Sequence, residues 1–217
     1  MRNHFEREIE ELKKKFLVLS TLVEENLQLS AKALATMDNE LADQVIKADD
    51  EVDMMEIAVE EECLKILALY QPVAVNLRFI VAVLKITNDL ERISDLAINI
   101  AKKIPFLVTD PVPEAQLFPI MIEKVKGMLK LSLDSLVQLD TQLARNICVM
   151  DKEIDNLKSD CREKLVLAIK KNPEKVETYL NWLSISRHLE RIADHATNVA
   201  EDVIYMAEGE IIRHSSH

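Results

Sequence analysis

Apolar residues return along this chain every three or four positions, with polar and charged residues between them. Phe5, Ile9, Leu12, Phe16, Leu19 and Val23 alternate steps of four and three, and so do Leu41, Val45, Ala48, Val52, Met55 and Val59. Ile122, Val125, Leu129, Leu136 and Leu139 keep the rhythm with one double step, and Ile147, Met150, Ile154, Leu157 and Cys161 continue it. This spacing holds one face of an α-helix against a neighbouring helix. Proline, tolerated in a first turn and disfavoured further in, marks the limits. Pro72 and Pro173 each open a helix, with Asn172 as cap and Glu174 in an acidic first turn; the cluster from Pro105 to Pro119 reads as a linker. The pattern predicts six helices, at 4–37, 40–70, 72–104, 114–140, 142–171 and 173–208. Helices this long, joined by short turns, suit antiparallel bundles.

The third and sixth helices repeat one another. Residues 88–101 read NDLERISDLAINIA and residues 187–200 read RHLERIADHATNVA. Leu90, Glu91, Arg92, Ile93, Asp95, Ala97, Asn99 and Ala101 recur 99 positions later. The second and fifth helices agree more loosely, DDEVD from Asp49 facing DKEID from Asp151 at an offset of 102. Internal duplication is the simplest explanation. The expected fold is therefore all-α: two tandem three-helix bundles, residues 1–108 and 109–217.

Composition narrows the picture. Two glycines in 217 residues leave too few turns for a sheet protein of this size. The net charge of −11 argues against nucleic acid and against an anionic membrane surface. It suits cations, or a basic patch on a protein partner. Cys63, Cys148 and Cys161 are scattered and odd in number, which points to reduced, core-filling thiols in a cytoplasmic protein. The charged start, MRNHFEREIEELKKK, has no signal-peptide apolar stretch, and no apolar run reaches the roughly 18–20 residues of a membrane helix, so no direct membrane insertion is expected.

Each repeat carries two acidic pairs spaced by four: Asp49 with Asp53, Glu91 with Asp95, Asp151 with Asp155, and Glu190 with Asp194. That spacing sets both carboxylates on one helix face, about 5–6 Å apart at Cβ. With 38 acids in 217 residues, about seven such pairs arise by chance, so no single pair means much. Position means more. Glu91 and Asp95 continue a stripe begun by Leu77, Ile80 and Leu84, and Glu190 and Asp194 lie on the side of Val176, Tyr179 and Leu183. Acids on a stripe that meets other helices repel one another and need compensation, either from lysine and arginine or from a metal ion. Asn99 and Asn198, one turn on, read as polar neighbours, and His195 reads as a hydrogen-bonded structural residue. Arg92 and Arg191 point elsewhere on the helix, in position to bridge to other acids. Lys158 and Arg162 stand where the first repeat has Glu56 and Glu60, so the two sites are not equivalent.

The segments QPVAVNLRFIVAVLKITNDLERISD (Gln71 to Asp95) and LERIADHATNVAEDVIY (Leu189 to Tyr205) resemble the signatures of the PhoU family, in register over essentially the whole chain. The family often has Asp where Asn76 stands and Gly where Ser94 stands. The resemblance implies two similar three-helix bundles. It implies a negative regulator of phosphate uptake and of the phosphate-starvation response, acting with the phosphate ABC transporter ATPase and a sensor histidine kinase and commonly dimeric. It also implies that the eight acids above bind iron, zinc or magnesium. Two other functions compete. A carboxylate-bridged metalloenzyme needs Glu-x-x-His on inward helices, and no histidine here has Glu three residues before it. No Gly-rich phosphate loop or G-x-S-x-G elbow is present either, so no catalytic or cofactor-binding residue is expected. A purely structural bundle with solvated acids is the third reading.

Overall fold

The computed structural model describes residues 2–209, and within them every element is helical. The elements are α1 (Arg2–Thr36), α2 (Asn39–Lys47), α3 (Asp49–Tyr70), α4 (Ala74–Ala101), α5 (Ile104–Thr109), α6 (Phe118–Gln138), α7 (Thr141–Lys171) and α8 (Val176–Glu208). Short 3-10 turns precede α6 (Pro113–Leu117) and α8 (Pro173–Lys175). The all-α, duplicated architecture expected from the periodicity is the one observed.

The helix expected at 40–70 is two helices. Its break lies at Ala48, whose ψ of −10° opens the turn, and the bond from the Val52 amide to the Ala48 carbonyl stretches to 3.4 Å. Asp49, Asp50 and Glu51 follow at once and favour a fresh helix start, because acids stabilise the positive end of the helix dipole. The corresponding helix of the second repeat, α7, runs unbroken. The expected linker is also more ordered than its prolines suggest. Pro105 sits in the first turn of α5, Pro113 opens a 3-10 turn, and Pro119 lies in the first turn of α6. Leu139, expected on a helical stripe, lies just past α6 in left-handed conformation, φ 52°. Asn172 makes no side-chain cap; its amide reaches the Tyr179 hydroxyl at 3.5 Å.

α1, α3 and α4 form one bundle and α6, α7 and α8 the other, with α4 packed along α8 between them. Burial records this layout. α4 buries fourteen residues and α8 fifteen, whereas α3 buries five and α7 six, so α4 and α8 are central and α3 and α7 form outer walls. Pairs across the seam show that α4 and α8 run antiparallel: Lys85 meets Asp202, and Asp89, further along α4, meets His195, earlier in α8. Ile80, Ile86, Leu90, Ile93, Ile192 and Val203 are fully buried in one continuous core. Cys63 and Cys161 are buried as core filling, Cys148 is half-buried against the core, and all three are free thiols. Burial pushes the Cys63 thiol up to about 12, which keeps it protonated and unreactive. No helix among the described residues is long and apolar enough to cross a membrane. The weak metal candidates His214 and His217, in a tail expected to fray from Gly209, lie outside the described residues.

Candidate functional site

The acids of each repeat come from an outer and a central helix. In the first repeat α3 supplies Asp49, Asp53 and Glu56, and α4 supplies Glu91 and Asp95. They sit at the rim of the α3–α4 seam. The side chain of Glu91 is 19% exposed and that of Asp95 46%. The helix pairing sets them against each other electrostatically. Glu91 is raised from the ordinary 4.5 to about 7, by burial first, then by Asp95, Glu56 and Asp53, with Arg92 opposing. Asp49 is raised by burial and by Asp53 and Asp95, and Glu56 by burial, Glu60 and Asp53. Carboxylates of α3 therefore face those of α4, as the duplicated spacing leads one to expect.

The second repeat reproduces the arrangement on α7 and α8. Burial, then Glu190, Asp151 and Asp155, raise Asp194 to about 6, and Asp151 is raised by burial, Asp155 and Glu190. Asp194 and Asp155 are exposed at the rim, and Asp151 and Glu190 are half-buried.

Basic side chains partly compensate. Arg92, expected to point elsewhere and to bridge to other acids, turns back onto those of its own helix: its Nε lies 3.3 Å from Glu91 Oε2 and its Nη1 3.4 Å from Asp95 Oδ2. Lys158, the residue that replaces Glu56, donates directly to Glu190. The inequality of the two repeats thus takes physical form as an arginine on the central helix in one and a lysine on the outer helix in the other. The buried Glu91 Oε2 accepts no hydrogen bond despite its proximity to Arg92. Among the described residues, no three Asp, Glu, His or Cys side chains converge closely enough, as they stand, to hold one ion. The donor set itself is all carboxylate oxygen, which suits hard or borderline cations, and the buried Glu91 Oε2 lacks a hydrogen-bond donor. Rotation about exposed side-chain torsions would be needed to close such a shell.

A second polar cluster lies between the repeats, and only part of it is foreseen by the sequence. His195 Nδ1 lies 2.7 Å from Asp89 Oδ1, and the Asn198 amide donates to the same oxygen at 3.0 Å. His195 and Asn198 are the structural neighbours expected; Asp89, their buried partner on α4, is new. Its signal was available, since Asp89 falls on the Ala82, Ile86, Ile93 stripe at steps of four and three. Ser94, where the family often has Gly, accepts a 2.8 Å bond from the buried Asn26 of α1 and ties that helix to α4.

Comparison with known proteins places this architecture. The family model "PhoU domain" matches the chain twice, at residues 16–104 and 118–203, once on each bundle. A relative from Aquifex aeolicus named "Phosphate-specific transport system accessory protein PhoU homolog" is 38% identical over 209 residues, 96% of this chain and 95% of the relative. A Thermotoga maritima relative, "PhoU homolog 1" of the same name, is 36% identical over 95% of this chain and 90% of its own. The crystal structure of PhoU from Pseudomonas aeruginosa superposes with a TM-score of 0.92 at 34% identity, covering 95% of this chain and all of that one. The phosphate transport system regulatory protein PhoU from Streptococcus pneumoniae gives 0.87 at 31%, covering 95% of this chain and 98% of that one. With both bundles matched and nearly every residue spanned, the chain belongs to the PhoU family.

Proposed function

We propose that this chain is a negative regulator of phosphate uptake and of the phosphate-starvation response. It acts without chemistry of its own, as an adaptor between the ATPase of a phosphate ABC transporter and a sensor histidine kinase on the cytoplasmic side. Relatives named as accessory and regulatory proteins of phosphate transport support the regulatory part. The observation that carries the cation-binding part is the facing of carboxylates across an outer and a central helix in both repeats. In the first, Asp49, Asp53, Glu56, Glu91 and Asp95 press on one another, eased by Arg92 beside Glu91 and Asp95 and by the charge of Lys102 on Asp49.

Glu91 and Asp95 with Asp49 and Asp53, and Glu190 and Asp194 with Asp151 and Asp155, are the residues that would hold iron, zinc or magnesium. A bound ion would supply positive charge where carboxylates now repel, cross-linking the two helices of each seam. Glu91 and Asp95 sit on a central helix that also packs on the other bundle, so ordering this seam stiffens the surface a partner meets. The double variant Glu91→Gln/Asp95→Asn tests the reading. Purified from cells, it is expected to lose most of the metal bound to the first repeat by elemental analysis, and in phosphate-replete cells to express phosphate-starvation genes. Wild-type metal content with normal repression would contradict it.

A further inference from the structure

The outer face of α3 carries a stripe that the bundle does not use. Asp50, Met54, Ile57, Glu61, Leu64 and Ala68 alternate steps of four and three, and all six are exposed. The apolar members are well exposed: Met54 64%, Ile57 54% and Leu64 60%. Four-three spacing with apolar side chains is the pattern of a seam that accepts another helix. Among the described residues, no other part of the chain covers it.

The duplication supplies an internal control. At the offset of 102 that aligns the outer helices, buried Val52, Val59, Cys63 and Ile66 of α3 match buried Ile154, Cys161, Leu165 and Ala168 of α7. The six stripe positions then correspond to Lys152, Asn156, Ser159, Glu163, Val166 and Lys170, all exposed. The second repeat is therefore polar at the positions of Met54 and Ile57 and keeps an apolar residue, Val166, only at that of Leu64, so bundle stability does not require Met54 or Ile57 to be apolar. A stripe of this kind, with nothing to pack on, marks a partner site.

Charge indicates the partner's chemistry. α3 holds eight acids against one lysine, whereas α7 holds five against seven basic residues. Acids lie within the stripe, at Asp50 and Glu61, and beside it, at Glu51, Asp53 and Glu60. A second copy of α3 laid on the stripe would set these carboxylates against their like. A helix with apolar residues at the same rhythm, flanked by lysine or arginine, would match both the apolar and the acidic members.

We propose that the outer face of α3 docks a basic amphipathic helix of a partner protein. About 90° around α3 separates this stripe from the acids facing α4, so docking needs no cation. The test uses the full chain and a fluorescent synthetic helical peptide of leucine heptads with lysine at the remaining positions, read by anisotropy at physiological salt. The expected result is saturable binding that weakens at least tenfold in Met54→Asn/Ile57→Ser, which installs the residues of the second repeat. It weakens similarly in Leu64→Gln, and it is unchanged in Val137→Ser, an exposed apolar site on α6. The stripe variants keep wild-type thermal unfolding, because the altered side chains are exposed. Equal affinity for wild type and both stripe variants overturns the proposal, as does equal binding of a leucine–glutamate peptide. If sedimentation shows wild type as a dimer that Met54→Asn/Ile57→Ser dissolves, the face is an interface between copies, and the proposal is likewise overturned.

Discussion

At the residue scale, Glu91 sits between two demands: burial at the α3–α4 seam favours the neutral acid, and the nearby Arg92 favours the charged one. Burial and the neighbouring carboxylates win, which raises it to about 7. The sign for stability follows. A folded-state value above the ordinary 4.5 means the folded protein binds a proton more tightly than the unfolded chain. Metal-free protein therefore gains stability from this group as pH falls from above 7 to about 4.5. Glu91→Gln, neutral throughout, is expected to unfold at higher urea than wild type at pH 8 with chelator present, and this advantage should vanish near pH 4.5. A urea series at the two pH values checks it; a variant less stable at pH 8 would mean that the Arg92 contact dominates. Glu62 shows the opposite balance: burial pushes it up, but hydrogen bonds from Lys15 and Lys65 bring it down to about 2. The eight candidate acids were legible because the repeat displays them twice. Arg92 turning back, Lys158 reaching Glu190 and Asp89 bridging to His195 were not, since flexible side chains choose partners by tertiary proximity rather than by spacing.

At the scale of elements, a chain with two glycines must end its helices on other residues. Among the described residues, only α8 closes on glycine, Gly209 at φ 78°. α3 and α6 close on Gln71 and Leu139, at φ 46° and 52°, a conformation that costs a non-glycine residue about 1 kcal/mol. Leu139 is half exposed, so little packing would be lost by replacing it. Leu139→Gly is expected to stabilise the protein by about 0.5–1 kcal/mol and to raise the thermal midpoint by about 1–4 °C in calorimetry. An unchanged or lower midpoint would show that leucine packing outweighs the strain. Periodicity located every long helix, because an apolar stripe survives errors at the ends. It did not reveal the break at Ala48 or the order around Pro113, because those depend on acids at a helix start and on local turn geometry, neither of which alters the three-four rhythm.

At the scale of the whole molecule, two copies of one bundle meet along α4 and α8, and the same central helices carry one half of each acidic site. Asp89 ties to His195 and Asn198 across that seam two residues before Glu91 and one residue after Asp194, so the sites are held in a single framework. The copies have since diverged at their outer walls: α3 is acidic with an apolar stripe, and α7 is mildly basic with Lys158 on Glu190. The duplicated fold was legible from residues 88–101 against 187–200 together with the looser match of Asp49–Asp53 to Asp151–Asp155; the division of labour between the walls became visible only once exposure was known. The central claim is that the facing carboxylates hold cations. Its most direct test is X-ray diffraction from crystals of chelator-free protein, recorded above and below the iron and zinc absorption edges. The account predicts an anomalous peak bounded by Glu91, Asp95 and the acids of α3, with a weaker one beside Glu190 and Asp194; magnesium would show instead as density ringed by oxygens at about 2.1 Å. Crystals with no ion at either seam, Arg92 still on Glu91 and Asp95 and Lys158 still on Glu190, would contradict it.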